Sequence, residues 1–229
     1  MHREPRPKPG WETHPANLRG LTGVYWMYIM GSGGHTSEML MTIKASLSIS
    51  PNMHRRYVVT TGDKHSLHAC QKLEHEIRER FGQEAGTSDV VTIQRARAVH
   101  QSLLSAILPA LWSVWEAIGL LTRGPDVRST SRDKFRYPSV IVTNGPGTCF
   151  IIAFVAFILR VLDIVPKHKG RIIYIETWAH ITSLSLTGKL FDLFGIADLF
   201  CVQHPGLAQK LSKYYLPAVG MPQPKKVHL

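Results

Sequence analysis

The run Val24-Tyr25-Trp26-Met27-Tyr28-Ile29-Met30 leads directly into Gly31-Ser32-Gly33-Gly34-His35-Thr36-Ser37-Glu38-Met39-Leu40. An apolar run, a glycine turn and a helix start in so short a stretch predict a buried strand whose exit feeds a helix N-terminus. Such a junction gathers unpaired N–H groups and the positive end of a helix dipole just beyond the sheet, which favours phosphate or another anion. Glycines at 31, 33 and 34 let a ligand approach the backbone closely. His35 adds an imidazole, a group that titrates near neutral pH, although a histidine here serves equally well as a helix-capping or hydrogen-bonding residue. The segment is not a Walker A loop, because the Gly-Lys-Ser/Thr ending is missing. It is not the dinucleotide fingerprint, because Thr36 stands where the third glycine belongs. A tight turn with no ligand is the plain alternative.

Outward from this junction, strand and helix patterns alternate. A helix over Thr36–Ser48 carries Met39, Leu40, Ile43 and Leu47 at helical spacing. Strands are expected at Arg56–Thr61, Val90–Gln94, Tyr137–Thr143, Arg171–Ile175 and within Ile196–Val202, with a charged helix over Lys64–Phe81. An apolar helix spans Leu103–Leu121, a surface loop Thr122–Arg136, a helix starts at Cys149 and a short one runs from Pro205 to Tyr215. This alternation predicts an α/β fold, a Rossmann-like parallel sheet flanked by helices, with ligands at the carboxyl ends of the strands. Three features fall at those ends: Gly31-Ser32-Gly33-Gly34-His35-Thr36, Asn144-Gly145-Pro146-Gly147-Thr148, and Glu176 followed by a hydroxyl-rich run to Lys189. Two glycine loops and a hydroxyl/lysine loop along one edge make a diphosphate-binding rim. Its expected contacts are Gly31, Ser32, Gly33, Gly34, Thr36, Asn144, Gly145, Gly147 and Thr148. Arg95 and Arg97 either contact phosphate or form a solvated basic face.

The chain has 229 residues, enough for one α/β domain with tails, and 44% of them are hydrophobic. A formal net charge of +11, from 27 Lys+Arg against 16 Asp+Glu, implies an anionic partner such as anionic lipid or a phosphorylated substrate. Nucleic acid is not expected, since the basic residues are scattered and no RNP-type or zinc-finger motif occurs. The three cysteines, Cys70, Cys149 and Cys201, form neither a CxxC pair nor a disulfide framework, so the domain reads as reduced and cytosol-facing. Among twelve histidines there is no HxxxH or HExxH pair. His65 and His68 share a helix face without a third ligand, and neither a metal nor a cofactor is expected.

Residues 1–23 read as a flexible basic tail rich in proline, 24–216 as the folded domain, and 217–229 as a second flexible tail. No uncharged apolar stretch reaches the length of a membrane span. The Leu103–Leu121 helix, with Trp112 and Trp115, suits insertion into one leaflet's interface and equally suits packing on the sheet.

Five ordered motifs carry a family resemblance: GSGGHTSEML (31–40), RARAVHQS (95–102), TNGPGTC (143–149), YIETWA (174–179) and SLSLTGK (183–189). Over residues 24 to 215 the chain resembles the membrane-anchor subunit of the eukaryotic UDP-N-acetylglucosamine transferase of asparagine-linked glycosylation. The resemblance implies the N-terminal half of a MurG-like GT-B glycosyltransferase. A separate catalytic subunit then holds UDP-GlcNAc, and together they add the second GlcNAc to GlcNAc-diphospho-dolichol on the cytosolic face of the endoplasmic reticulum membrane or of the nuclear envelope. It implies a half-enzyme, inactive alone, that recruits its partner and helps bind the lipid-linked acceptor. Inverting transfer to a sugar hydroxyl needs a general base facing the donor carbon. His35 is the first candidate and Glu176 the second, Glu176 being at least as well explained as a structural carboxylate. Family members commonly begin with a hydrophobic membrane-spanning helix, whereas residues 1–23 are polar. Either the 103–121 helix is a monotopic anchor or the anchor is missing from this gene model. The C-terminal end, where the family binds its partner, is atypical here.

Competing readings are a self-sufficient glycosyltransferase, disfavoured because a complete GT-B enzyme needs two domains, and a non-catalytic membrane scaffold. A nucleotide-dependent oxidoreductase is disfavoured by Thr36 and by Asp63, which lies well beyond the usual spacing of about 20 residues.

Overall fold

The computed structural model describes residues 23–94, 107–126, 135–145 and 147–218. The expected tails at 1–22 and 219–229, both Arg95 and Arg97, Pro146, the start of the helix from Leu103 and most of the 122–136 loop lie outside the described residues.

Seven strands form one sheet: β1 (Val24–Ile29), β2 (Met53–Thr60), β3 (Thr87–Ile93), β4 (Val140–Thr143), β5 (Arg171–Ile175), β6 (Leu199–Val202) and β7 (Tyr214–Tyr215). The helices are α1 (Gly34–Ser46), α2 (Lys64–Phe81), α3 (Ile107–Thr122), α4 (Thr148–Val161), α5 (Leu186–Phe194) and α6 (Pro205–Leu211). Strand order is β3-β2-β1-β4-β5-β6-β7, and every pairing is parallel. This confirms the Rossmann-like α/β expectation. The order reverses between β1 and β4, the point where such sheets open a crevice for ligands.

Alternation along β1 divides the core. Tyr25, Met27 and Ile29 point into a cluster with α3, α4, α5 and α6, through Ala117, Ile152, Phe191 and Leu207. Tyr28 and Met30 point to the opposite face, against Met39 and Ile43 of α1 and Cys70, Leu73 and Ile77 of α2. Each fully buried side chain of this size stabilises the fold by about 1.5–3 kcal/mol. Among the described residues, four helices therefore cover one face and two cover the other.

Several bounds differ from expectation for physical reasons. β2 starts at Met53, ahead of Arg56, because Arg55 and Arg56 are buried with partners. Arg55 forms a two-bond ion pair with Glu74 of α2 (2.7 and 2.9 Å), which also accepts from Tyr57. Arg56 pairs with Asp89 of β3, which in turn holds His54. Paired charges can occupy a sheet interior where lone ones cannot. β3 accordingly starts at Thr87, ahead of Val90. The helix expected from Pro205 to Tyr215 stops at Leu211; Ser212 turns left-handed (φ 53°) and the chain adds β7 to the sheet.

Candidate functional site

The two glycine turns meet where β1 and β4 part. A side chain at Gly145 would stand 2.8 Å from the Gly31 Cα, and one at Gly31 would stand 3.2 Å from the Gly145 Cα, so both positions require glycine for close approach. α1 starts after Gly33 and α4 after Gly147, each without a side-chain cap and without an acidic residue in its first turn. By contrast, Asp63 caps α2 through the Ser66 N–H, and Ser185 caps α5 through the Gly188 N–H. Two helix starts without side-chain caps thus converge on the switch point, a place whose dipoles favour an anion.

The expected site residues take different places. Ser32, Gly33, Gly34 and Gly147 are exposed along the rim. Gly31, Gly145 and Thr148 are buried beneath it. Thr36 is completely buried, its hydroxyl donating to the Gly31 carbonyl and meeting the Ser66 hydroxyl at 2.6 Å. It therefore locks the turn to α2, its hydroxyl being taken up within the fold. Asn144 is 3% exposed at the end of β4 and donates from Nδ2 to the His35 carbonyl at 2.8 Å. Its Oδ1, an acceptor, is buried with no hydrogen-bond partner among the described residues. His35 is half-buried; its Nδ1 is buried with no partner among the described residues. Asp63, which a dinucleotide site would direct to a ribose, is occupied with Ser66 instead.

Glu176, the second candidate base, has no exposed surface. One carboxylate oxygen accepts from the Thr177 N–H (3.0 Å) and the Tyr174 hydroxyl (3.4 Å), the other from the N–H and hydroxyl of Ser185 (both 3.1 Å). Burial, with the Glu176 charge second, raises the Tyr174 phenol far above its ordinary pKa, so it remains a donor. Saturated with donors, this carboxylate folds the 177–185 loop back onto the sheet and sets the start of α5. The geometry makes Glu176 structural. The hydroxyl-rich run expected as a loop is in part this helix, with Ser185 as N-cap and Gly188 packed against the carboxylate.

Sequence reasoning missed Glu38. It lies one turn after His35 on the same face of α1, and accepts from the Thr177 hydroxyl at 2.9 Å, joining α1 to the end of β5. The i, i+3 spacing from His35 was the available signal. Gln203 and His204 were missed as well; they brace the same loop through the carbonyls of Glu176 (2.9 Å) and Trp178 (2.7 Å).

Along the β3 edge, α3 exposes Leu111, Trp112 and Trp115, the last at 70%. Glu116 accepts from the Gln94 N–H and from Trp112 Nε1, holding one indole at the mouth of a cavity of about 440 Å³ between α3 and β3. Among the described residues no helix is long and apolar enough to cross a membrane. All three cysteines are free and buried, and burial pushes the Cys70 thiol up to about 12 and those of Cys149 and Cys201 to about 11, so none is a ready nucleophile.

A parallel sheet in 3-2-1-4-5-6 order, with two helix starts that lack side-chain caps at its switch point, defines a Rossmann-like domain. A family model described as "Oligosaccharide biosynthesis protein Alg14 like" matches residues 26–219. The chain belongs to the Alg14 family. It is similar to the "UDP-N-acetylglucosamine transferase subunit ALG14" of Debaryomyces hansenii, 36% identical over 203 residues, covering 88% of this chain and 78% of the relative. The Candida albicans protein of the same name is 37% identical over 191 residues (82% and 74%), and the Homo sapiens one 32% identical over 189 residues (82% and 78%).

Proposed function

We propose that this chain is the acceptor-binding, membrane-associated subunit of a two-chain UDP-N-acetylglucosamine transferase. It acts in N-glycan precursor synthesis on the cytosolic face of the endoplasmic reticulum membrane. The observation that carries this reading is the pair of uncapped helix starts at the switch point, which suits the diphosphate of GlcNAc-diphospho-dolichol. The relatives' shared name, a transferase subunit, supports a second chain. On this reading the Rossmann-like domain serves as the acceptor half of a GT-B enzyme, and the donor sugar is held by the second chain.

The α3 cavity, with Trp112 and Trp115 at its mouth, suits an isoprenoid chain or the interface of one leaflet. β3 is two strands from β1, so this surface is about 10 Å along the sheet from the glycine turns. A docking place for the partner is supported on the two-helix face. There an apolar cavity of about 200 Å³ opens between α1 and Leu216, floored by Trp26, Tyr28, Val142 and Ile175. Parallel sheets are ordinarily covered on both faces, and a helix of the partner fits this groove.

In the reaction, a sugar hydroxyl of the acceptor attacks the donor's anomeric carbon, UDP departs, and the hydroxyl proton passes to a base. His35 is the remaining candidate on this chain, half-exposed beside the rim. The test is to combine purified chain, partner, UDP-GlcNAc and a GlcNAc-diphospho-lipid, and to assay the chains singly and together. Product is expected from the pair alone, and is lost on His35→Ala with the complex intact. Product from this chain by itself overturns the proposal.

A further inference from the structure

We propose that Glu38 and Asn144 form the inner wall that reads the acceptor's sugar through its hydrogen-bond donors. This rests on the acceptor-binding reading above and assigns the polarity of the bound molecule.

Three observations carry it. The Asn144 amide is fixed in one orientation, because the His35 carbonyl can only accept and must face the NH2 group. What Asn144 turns the other way is Oδ1, buried and without a partner among the described residues. Glu38 repeats the pattern: one carboxylate oxygen is held by Thr177, while the other, Oε2, is buried with no partner among the described residues. Among the described residues Glu38 has no cationic partner. Both side chains lie on the β4–β5 side of α1, at the ends of adjacent strands. Buried acceptors without donors are costly and in native proteins generally have a partner.

A phosphate carries no proton to give and repels a carboxylate. A pyranose offers hydroxyl protons and, in GlcNAc, an amide N–H. The donors for phosphate are instead on the exposed rim, at the uncapped starts of α1 and α4. The acceptor is therefore oriented with its sugar inward on Glu38 and Asn144 and its diphosphate outward on the rim. Entry requires a small displacement of the flanking turns, where Gly33, Gly34 and Gly147 have open space around them.

The test uses the complex with its partner and compares wild type with Glu38→Gln. The variant keeps an acceptor for Thr177 and replaces the unpartnered oxygen by a donor. Acceptors are GlcNAc-diphospho-phytanyl and analogues lacking single donors, namely the acetamido group or one non-reacting hydroxyl. Wild type is expected to disfavour at least one analogue by about tenfold in kcat/KM, the worth of one charge-assisted hydrogen bond. Glu38→Gln should erase that discrimination, leaving the KM for UDP-GlcNAc and inhibition by inorganic pyrophosphate unchanged. Glu38→Asp, which withdraws the carboxylate, should do the same and covers a glutamine variant that does not fold. An equal loss across all analogues, retained discrimination, or weakened pyrophosphate inhibition would overturn the inference. A wild-type pair that makes no product fails the two-chain reading itself.

Discussion

Gly31 and Gly145 touch backbone to backbone at the point where β1 and β4 diverge, while Gly34, three residues on, has nothing within 4 Å of where a side chain would stand. The two kinds of glycine should respond differently to alanine. Gly145→Ala drives a methyl to within 2.6 Å of Cys149 Sγ and 2.8 Å of the Gly31 Cα. It should cost about 1–3 kcal/mol in urea unfolding. Gly34→Ala should leave stability within about 1 kcal/mol of wild type, on the favourable side, because alanine suits a helix better. It should nonetheless raise the KM for the lipid acceptor by narrowing the rim. Equal effects of the two substitutions on stability would contradict this division.

Glu176→Gln separates a structural carboxylate from a catalytic one. The amide turns a donor toward the Ser185 or Thr177 N–H, so about 1–3 kcal/mol of stability should disappear. Below the variant's melting temperature, kcat of the complex should change by less than about tenfold, a smaller barrier change than 1.4 kcal/mol. A loss of several orders of magnitude with an unaltered melting temperature would restore Glu176 as a base.

Acid should weaken the fold through its paired carboxylates. Burial raises Glu74, but two hydrogen bonds and the charge of Arg55, with the Tyr57 hydroxyl, outweigh it and leave the group below its ordinary value. Asp89 follows the same pattern, its burial offset by His54 and Arg56. A carboxyl depressed in the folded state contributes fully above its unfolded pKa, about 4, and loses that contribution as pH falls through the folded value. Urea unfolding should be nearly flat from pH 7 to about pH 5 with respect to these groups and decline below about pH 4. Glu74→Gln strands a buried guanidinium, costs about 3–5 kcal/mol at neutral pH, and flattens the acid limb. An acid limb identical to wild type would show that Glu74 takes no part in it.

Trp112 and Trp115 are 60% and 70% exposed, so truncating them removes little from the core. Trp112→Ala/Trp115→Ala should unfold at nearly the wild-type urea concentration. It should bind vesicles of anionic lipid more weakly, by roughly tenfold per indole withdrawn from the interface. Sedimentation with vesicles measures this directly; undiminished binding would remove α3 from the membrane contact.

The junction from Val24 to Leu40 was legible because its signals are local: an apolar run, glycines, then helical spacing. The start of β2 was not. His54, Arg55 and Arg56 look solvent-facing until Glu74 and Asp89 are brought to them from α2 and β3. α5 was hidden within a hydroxyl-rich run, although Ser185 is a standard N-cap type. For the candidate site, the sequence located Asn144 at the right turn but could not orient its amide, which a carbonyl far away in the chain decides. Thr36 stood within the motif and turned inward to Gly31 and Ser66 for the same reason: side-chain direction is set by what packs against it.

The uneven cover of the sheet has a consequence for the cell. Trp26, Val140, Ile173 and Leu199 are only partly buried on the face that carries two helices. An apolar surface of this kind is sticky. On the two-chain reading, molecules synthesised in excess of the second chain invite chaperones and proteases. The steady-state amount of this polypeptide should then follow the supply of its partner rather than its own rate of translation.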